Sequence, residues 1–185
     1  RELIMNFPEI RKIGNTILCP MVWVTNGNSL PSNVVKAEVV WCILKYENSQ
    51  WILFQEGRIS DSNLSFWMPT INIDDIGNVS VLFSGAGAGN PPSLYYSRKK
   101  IDDALFPEPI LLNPGIGSVN SNRWGDYFSL VSHKPNFNIG IGTISTYDAD
   151  WTSIYTHKLV FPGCYLEIEG DDSVTLDADI RFFKI

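Results

Sequence analysis

Three arginines, Arg58, Arg98 and Arg123, recur along the chain, and Asp126 and Tyr127 follow the third closely. A guanidinium binds both oxygens of a carboxylate at once, so clustered arginines suit an anionic ligand that carries one. A plainer role competes: Arg123 pairs with Asp126 to fix a turn, and Arg98 is a solvated strand residue. Other residues offer less. His133 stands in a turn beside Lys134 and Pro135, and His157 in a strand. No Gly-x-Ser-x-Gly elbow occurs. Cys19, next to Pro20, has no visible activating base. Asp74-Asp75, Asp102-Asp103 and Asp171-Asp172 are adjacent pairs. Neighbours on a strand point to opposite faces, so none makes an acid–base dyad by itself, and all three are expected in solvated turns.

Two further stretches have a ligand reading and a structural one. Asp74 to Asn78 lacks the alternating carboxylates of a calcium loop and reads as a hairpin turn. Gly85-Ala-Gly-Ala-Gly89 superficially resembles a phosphate loop, but it leads into Asn90-Pro91-Pro92. No helix amino terminus is then available to hold an anion, and a flexible loop is expected.

What must position these residues is a chain of 185 residues, 44% hydrophobic and 18% charged, enough apolar material for one domain with a core. No apolar run approaches the roughly 18–20 residues of a membrane-spanning helix. A net charge of −6 offers no basic stripe to release counterions, which argues against nucleic acid. Two histidines and three cysteines leave little for zinc, and no cofactor or metal is expected. Cys19, Cys42 and Cys164 fit no metal spacing; one disulfide with a free thiol and three buried thiols both remain open. Residue 1 is Arg, which suggests a processed product or a piece of a longer protein. Asn63-Leu-Ser65 and Asn78-Val-Ser80 are glycosylation sequons. Together these lean toward an extracellular or particle-surface setting.

Strand signals dominate. Short β-branched and aromatic runs are bounded by Gly, Pro, Asn, Asp or Ser, from Thr16–Val24 through Val34–Leu44 and Trp51–Phe54 to Ser153–Val160. Further runs are expected at Tyr165–Ile168, Ser173–Leu176 and Ile180–Ile185. Helical periodicity over eleven residues appears nowhere, and Pro8 interrupts the nearest approach. The chain reads as all-β. A repeat narrows the class. Ser93–Lys99 resembles Ser153–Leu159, and Phe66–Ile73 resembles Arg123–Leu130, with Trp67 and Trp124 in matching places. About four strands per recurring unit predicts a partial β-propeller of about three antiparallel blades, at about 1–57, 58–117 and 118–160, with a C-terminal β extension at 161–185 that caps or assembles.

Phe66-Trp-Met-Pro-Thr-Ile-Asn-Ile-Asp-Asp-Ile-Gly-Asn78, Pro92-Ser-Leu-Tyr-Tyr-Ser-Arg98 and Ser121-Asn-Arg-Trp-Gly-Asp-Tyr127, in this order and spacing, resemble sialidase-like β-propeller proteins over roughly residues 17–160. The resemblance implies an arginine cluster for a substrate carboxylate, a Tyr nucleophile with a Glu base, and an Asp acid. Arg58, Arg98, Arg123, Asp126 and Tyr127 are the matching candidates. The Arg-Ile-Pro and Ser-x-Asp-x-Gly-x-x-Trp signatures of active members are absent; Arg58-Ile-Ser60 and Ser60-Asp-Ser-Asn63 only echo them. Family members usually close a ring of six or more blades, so other copies or another chain would have to complete it. The expectation is a non-catalytic structural, adhesive or binding segment. Its ligand surface, for glycans or protein partners, would be Trp67, Arg123, Trp124, Asp126 and Tyr127. The alternative is a fragment of a sialidase-like glycoside hydrolase completed by missing blades.

Overall fold

The structure, a computed structural model, describes residues 3–4, 9–26, 36–117, 128–134, 137–145 and 154–160. All regular structure among them is β-strand, as the sequence predicts: β1 (Leu3–Ile4), β2 (Arg11–Ile13), β3 (Thr16–Asn26), β4 (Ala37–Glu47), β5 (Gln50–Ile59), β6 (Leu64–Ile73), β7 (Asn78–Gly87), β8 (Asn90–Lys100), β9 (Ile110–Asn113), β10 (Ser129–Lys134), β11 (Phe137–Thr143) and β12 (Ile154–Val160). The strands form three antiparallel sheets. The first runs β1-β3-β4-β5, with β2 also paired to β3; the second runs β6-β7-β8-β9; the third runs β10-β11-β12. The Ser93–Lys99 pair occupies equivalent places, whereas most of the Arg123–Leu130 segment lies outside the described residues. Ser93–Lys99 lies in the third strand of the second sheet, and β12, the third strand of the third sheet, covers 154–160.

Two apolar cores join the sheets. Leu18, Val22, Val39, Trp41, Ile43 and Ile59 of the first sheet pack on Phe66, Ile71, Ile73, Val79, Val81 and Phe83 of the second. Leu82, Leu94 and Tyr96, on the opposite face of the second sheet, pack with Phe128, Leu130 and Ile144 beside the third. Period-two alternation therefore buries both faces of the second sheet: Val79, Val81 and Phe83 turn one way, Ser80, Leu82 and Ser84 the other. Residues 78–85 of β7 are all buried. Such a strand reads as a nearly continuous run of Val, Leu, Phe and small residues rather than as a polar–apolar alternation.

The hairpins follow turn chemistry. Asn48 and Ser49, with φ of 49° and 64°, join β4 to β5, both in the left-handed region that a two-residue type I′ turn demands. Gly77, with φ of 83°, serves the β6–β7 turn. One expectation is corrected at Gly85–Gly89. The segment is not a loop: β7 continues to Gly87, pairing Gly85 with Ser93 and Gly87 with Asn90, and only Ala88 and Gly89 turn. Gly85 is there because rings approach closely, Gly87 because the Asn63 carbonyl does, and Gly89 because the turn holds it at a φ of 76°. A Cβ on Gly85 would stand 2.7 Å from Phe66 Cδ1 and 2.8 Å from Tyr95 Cδ2. Strands expected within 161–185 lie outside the described residues.

Candidate functional site

Arg58 and Arg98 sit on different faces. Arg58, on β5 opposite Val40, lies on the outer face of the first sheet, away from the core. Its side chain is 59% exposed and its Nη1 is 3.2 Å from Glu38 Oε2. Arg98, on β8 opposite Ser80, belongs to the face of the second sheet that meets the third. The core between the first two sheets separates them, so the structure does not bring these two together. Trp67, opposite Ser84, shares the Arg98 face, four residues along β7 from Ser80, or about 13 Å. Arg123, Trp124, Asp126 and Tyr127 lie outside the described residues.

Around Arg98 the structure builds a polar cluster at the β6–β7 turn. Asp74 Oδ1 accepts hydrogen bonds from the backbone amides of Ile76 (3.1 Å) and Asn78 (2.8 Å), and Oδ2 accepts one from Asn78 Nδ2 (2.7 Å). Arg98 Nη2 stands 3.6 Å from Asp74 Oδ2, and the Asp74 side chain has no exposed surface. Asp74 therefore departs from the solvated turn residue expected of it; only Asp75 is exposed. A short side chain that reaches the amides two and four residues ahead makes the turn, and the arginine covers its remaining charge. Nearby, Ser80 Oγ and the Tyr96 hydroxyl lie 2.8 Å apart, and Asn72 Nδ2 donates to the Leu130 carbonyl (3.0 Å), reaching the third sheet. Both oxygens of Asp74 are engaged and closed to solvent. The group acts as a clamp on the turn, not as an acid or base.

A second cationic site went unread in the sequence. Lys99, 3% exposed, donates from Nζ to Gln55 Oε1 (2.6 Å) and to the Asp103 carbonyl (2.7 Å). The same nitrogen lies 4.8 Å from the Trp41 ring centroid and 5.7 Å from that of Phe106. Burial lowers the Lys99 pKa below the ordinary lysine value, and Asp103 and Asp102 partly offset this. A lysine made less basic by burial is in general a nucleophile candidate. Here two hydrogen bonds and two rings occupy it, so it ties the second sheet to the first. The available signal was parity: Lys99 pairs with Val79, which places it among inward-facing residues. Close by, a cavity of about 130 Å³ is lined mainly by Ile13, Leu18, Phe54 and Ile101, with neither Arg58 nor Arg98 in its wall.

The outer face of the first sheet carries apolar residues at alternate positions: Met21 and Trp23 on β3, Val40 and Leu44 on β4, and Leu53 on β5. Leu53 is 54% exposed; Tyr46 and Trp51, each 41% exposed, pack with centroids 5.3 Å apart and ring planes inclined by 58°. Packing between the first sheet and the second runs through β6, on the inner side. Cys19 and Cys42 lie on the outer face, both free and each 8% exposed. Burial pushes both thiol pKa values up, and the proximity of Cys19 and Glu56 adds to the effect at Cys42.

The chain matches no protein-family model, and no curated protein or solved structure is similar to it. The likeness to sialidase-like propellers therefore rests on the three sequence motifs alone.

Proposed function

We propose that the chain is a non-catalytic β-sheet segment of propeller type that serves as a structural and binding surface within a larger assembly. One observation carries this reading. The second sheet is buried on both faces by its sequence neighbours, while the first sheet presents its outer face, with Leu53, Trp51 and Tyr46, to solvent. A stack of antiparallel sheets in chain order, ending on a sheet face with exposed apolar side chains, is extended naturally by another sheet of the same kind. The occupant we infer is a second copy of this chain, since this face joins apolar side chains (Trp23, Val40, Leu44, Leu53) to both signs of charge, Glu38 and Glu56 with Arg58, and so is complementary to itself. The engagement of Asp74 and Lys99 supports a scaffold role for the charged residues rather than turnover.

Native mass, measured beside denaturing mass, tests the assembly. A multimer is expected; a well-folded monomer near 20.8 kDa at micromolar concentration removes it. Hydrolysis of a reporter sialoside tests the alternative. Turnover by the assembled protein, lost in the Arg123→Ala, Tyr127→Ala double variant, would make the chain part of a glycoside hydrolase instead.

A further inference from the structure

Three sulfur atoms share one small area of the first sheet. Cys19 and Met21 are two residues apart on β3, so their side chains leave the same face. Cys42, on β4, stands directly opposite Met21, while Cys19 stands opposite Leu44. The three residues thus occupy two successive outer-facing rungs of one ladder, with the inward-facing Pro20–Ile43 rung between them. Neither thiol is in a disulfide, and each residue is 8% exposed.

The register decides what the two thiols can do together. Cysteines diagonal to each other across an antiparallel pair have Cα atoms roughly 7–8 Å apart. A disulfide requires about 4.4–6.8 Å, so a direct S–S bond would distort the ladder. An interposed metal ion adds two bonds of about 2.3 Å each between the sulfurs, which suits the longer diagonal. Met21, directly across from Cys42 and beside Cys19, supplies a thioether as third donor. Thiolates and thioethers are soft ligands and select Cu(I) over harder ions. No group of three or more His, Cys, Asp and Glu side chains suited to a metal occurs among the described residues, so this sulfur set has no borderline-ion counterpart there.

We propose that Cys19, Met21 and Cys42 form a three-sulfur binding site for a soft monovalent cation, Cu(I). Binding breaks two S–H bonds and releases two protons. Two Cu–thiolate bonds and one Cu–thioether bond form, and no electron is transferred. The site uses residues of one chain only, and stands apart from the question of whether a second copy covers the face.

The test is anaerobic titration of the reduced full chain against the coloured Cu(I)–bicinchoninate complex, with Cu(I) itself as the probe. One Cu(I) should leave the chromophore per chain, and Cys164→Ser should behave as wild type. Cys19→Ser and Cys42→Ser should each abolish the transfer. Met21→Leu, which keeps the apolar volume, should weaken it at least about tenfold, as expected when a ligand is lost. That variant should keep its far-ultraviolet circular dichroism and its thiol count. Absence of transfer in wild type, loss of transfer in Cys164→Ser, or wild-type affinity in a folded Met21→Leu chain would each overturn the proposal.

Discussion

The Lys99 ammonium lies 4.8 Å from the centre of the Trp41 ring, and this contact joins β8 of the second sheet to β4 of the first. Gln55 on β5 completes the link, accepting from Lys99 through Oε1 (2.6 Å) and donating through Nε2 to the Ile101 carbonyl (2.7 Å). Lys99→Ala removes the cation and strands two acceptors, and should destabilise the chain by about 3 kcal/mol. Lys99→Met keeps the aliphatic stem and should cost less. Urea unfolding of the two variants checks the order; equal midpoints for wild type and Lys99→Ala would show that the contact contributes nothing net.

The buried thiols and Lys99 drive stability in opposite directions at alkaline pH. Cys19 and Cys42 titrate above the ordinary 9.0 in the folded chain, so the unfolded state loses its thiol protons first. Their contribution is complete below pH 9.0 and is lost as pH rises through the folded values. Lys99 titrates below 10.5, so its contribution is present above that pH and is lost as pH falls through its folded value. Unfolding free energies across pH 8–10.5 should therefore fall less steeply in a Cys19→Val, Cys42→Val double variant than in wild type, and more steeply in Lys99→Met. Parallel profiles for all three would contradict both assignments.

Asp74 is the least replaceable residue of the β6–β7 turn. Asp74→Ala leaves two backbone amides, the Asn78 side chain and the Arg98 charge without the carboxylate they share. The expected loss is about 3–5 kcal/mol, the range for breaking a buried charge pair. Amide exchange at Ile76 and Asn78 should accelerate first, before exchange in the middle of β7. Uniform acceleration along β7 would mean that the turn does not open on its own.

Gly57 exists for the Trp41 ring. A Cβ there would lie 2.7 Å from Trp41 Cζ2 and 2.9 Å from Cε2. Gly57→Ala should cost about 1–3 kcal/mol by overpacking and shift tryptophan emission as the ring gives way. Unchanged emission and melting would show that the ring relaxes without cost.

The outer face is tested at Leu53. Leu53→Lys places a charge where 54% of the residue is already exposed, so the isolated chain should lose less than about 0.5 kcal/mol. Native mass should nevertheless fall to that of the single chain. A multimer that survives Leu53→Lys would place the contact elsewhere.

The strands were legible because β-branched and aromatic runs between turn residues have few other uses. Their lengths were less so. β5 extends past Trp51–Phe54 through Gln55, which turns inward to Lys99 and the Ile101 carbonyl, and through Glu56 and Arg58, which are exposed, the latter beside Glu38. Gly85–Gly87 looked like a loop because the reasons for glycine come from elsewhere in the chain: the rings of Phe66 and Tyr95 on β6 and β8 at Gly85, and the Asn63 carbonyl at Gly87. The arginine set failed to gather at Arg58 and Arg98 for a similar reason. Chain spacing gives neither the sheet nor the face, and face parity sends Arg58 outward from the first sheet and Arg98 toward the third. Lys99 was hidden because a charged residue in a strand ordinarily signals solvent, and only its pairing with Val79 shows otherwise. The soft-donor trio was invisible as a motif, since Cys42 reaches Met21 across a ladder rather than along the chain.

The burial of β7 on both sides sets how this protein tolerates sequence change. In a saturation scan, β5, largely exposed along its length, should show isolated sensitive positions such as Gly57 and Ile59 among permissive ones. From 78 to 85, β7 should show an unbroken plateau of intolerance, since each position there meets protein on whichever side it points. Divergence should then accumulate in the first sheet's outer strand and leave the middle sheet as the slowest-changing part of the chain.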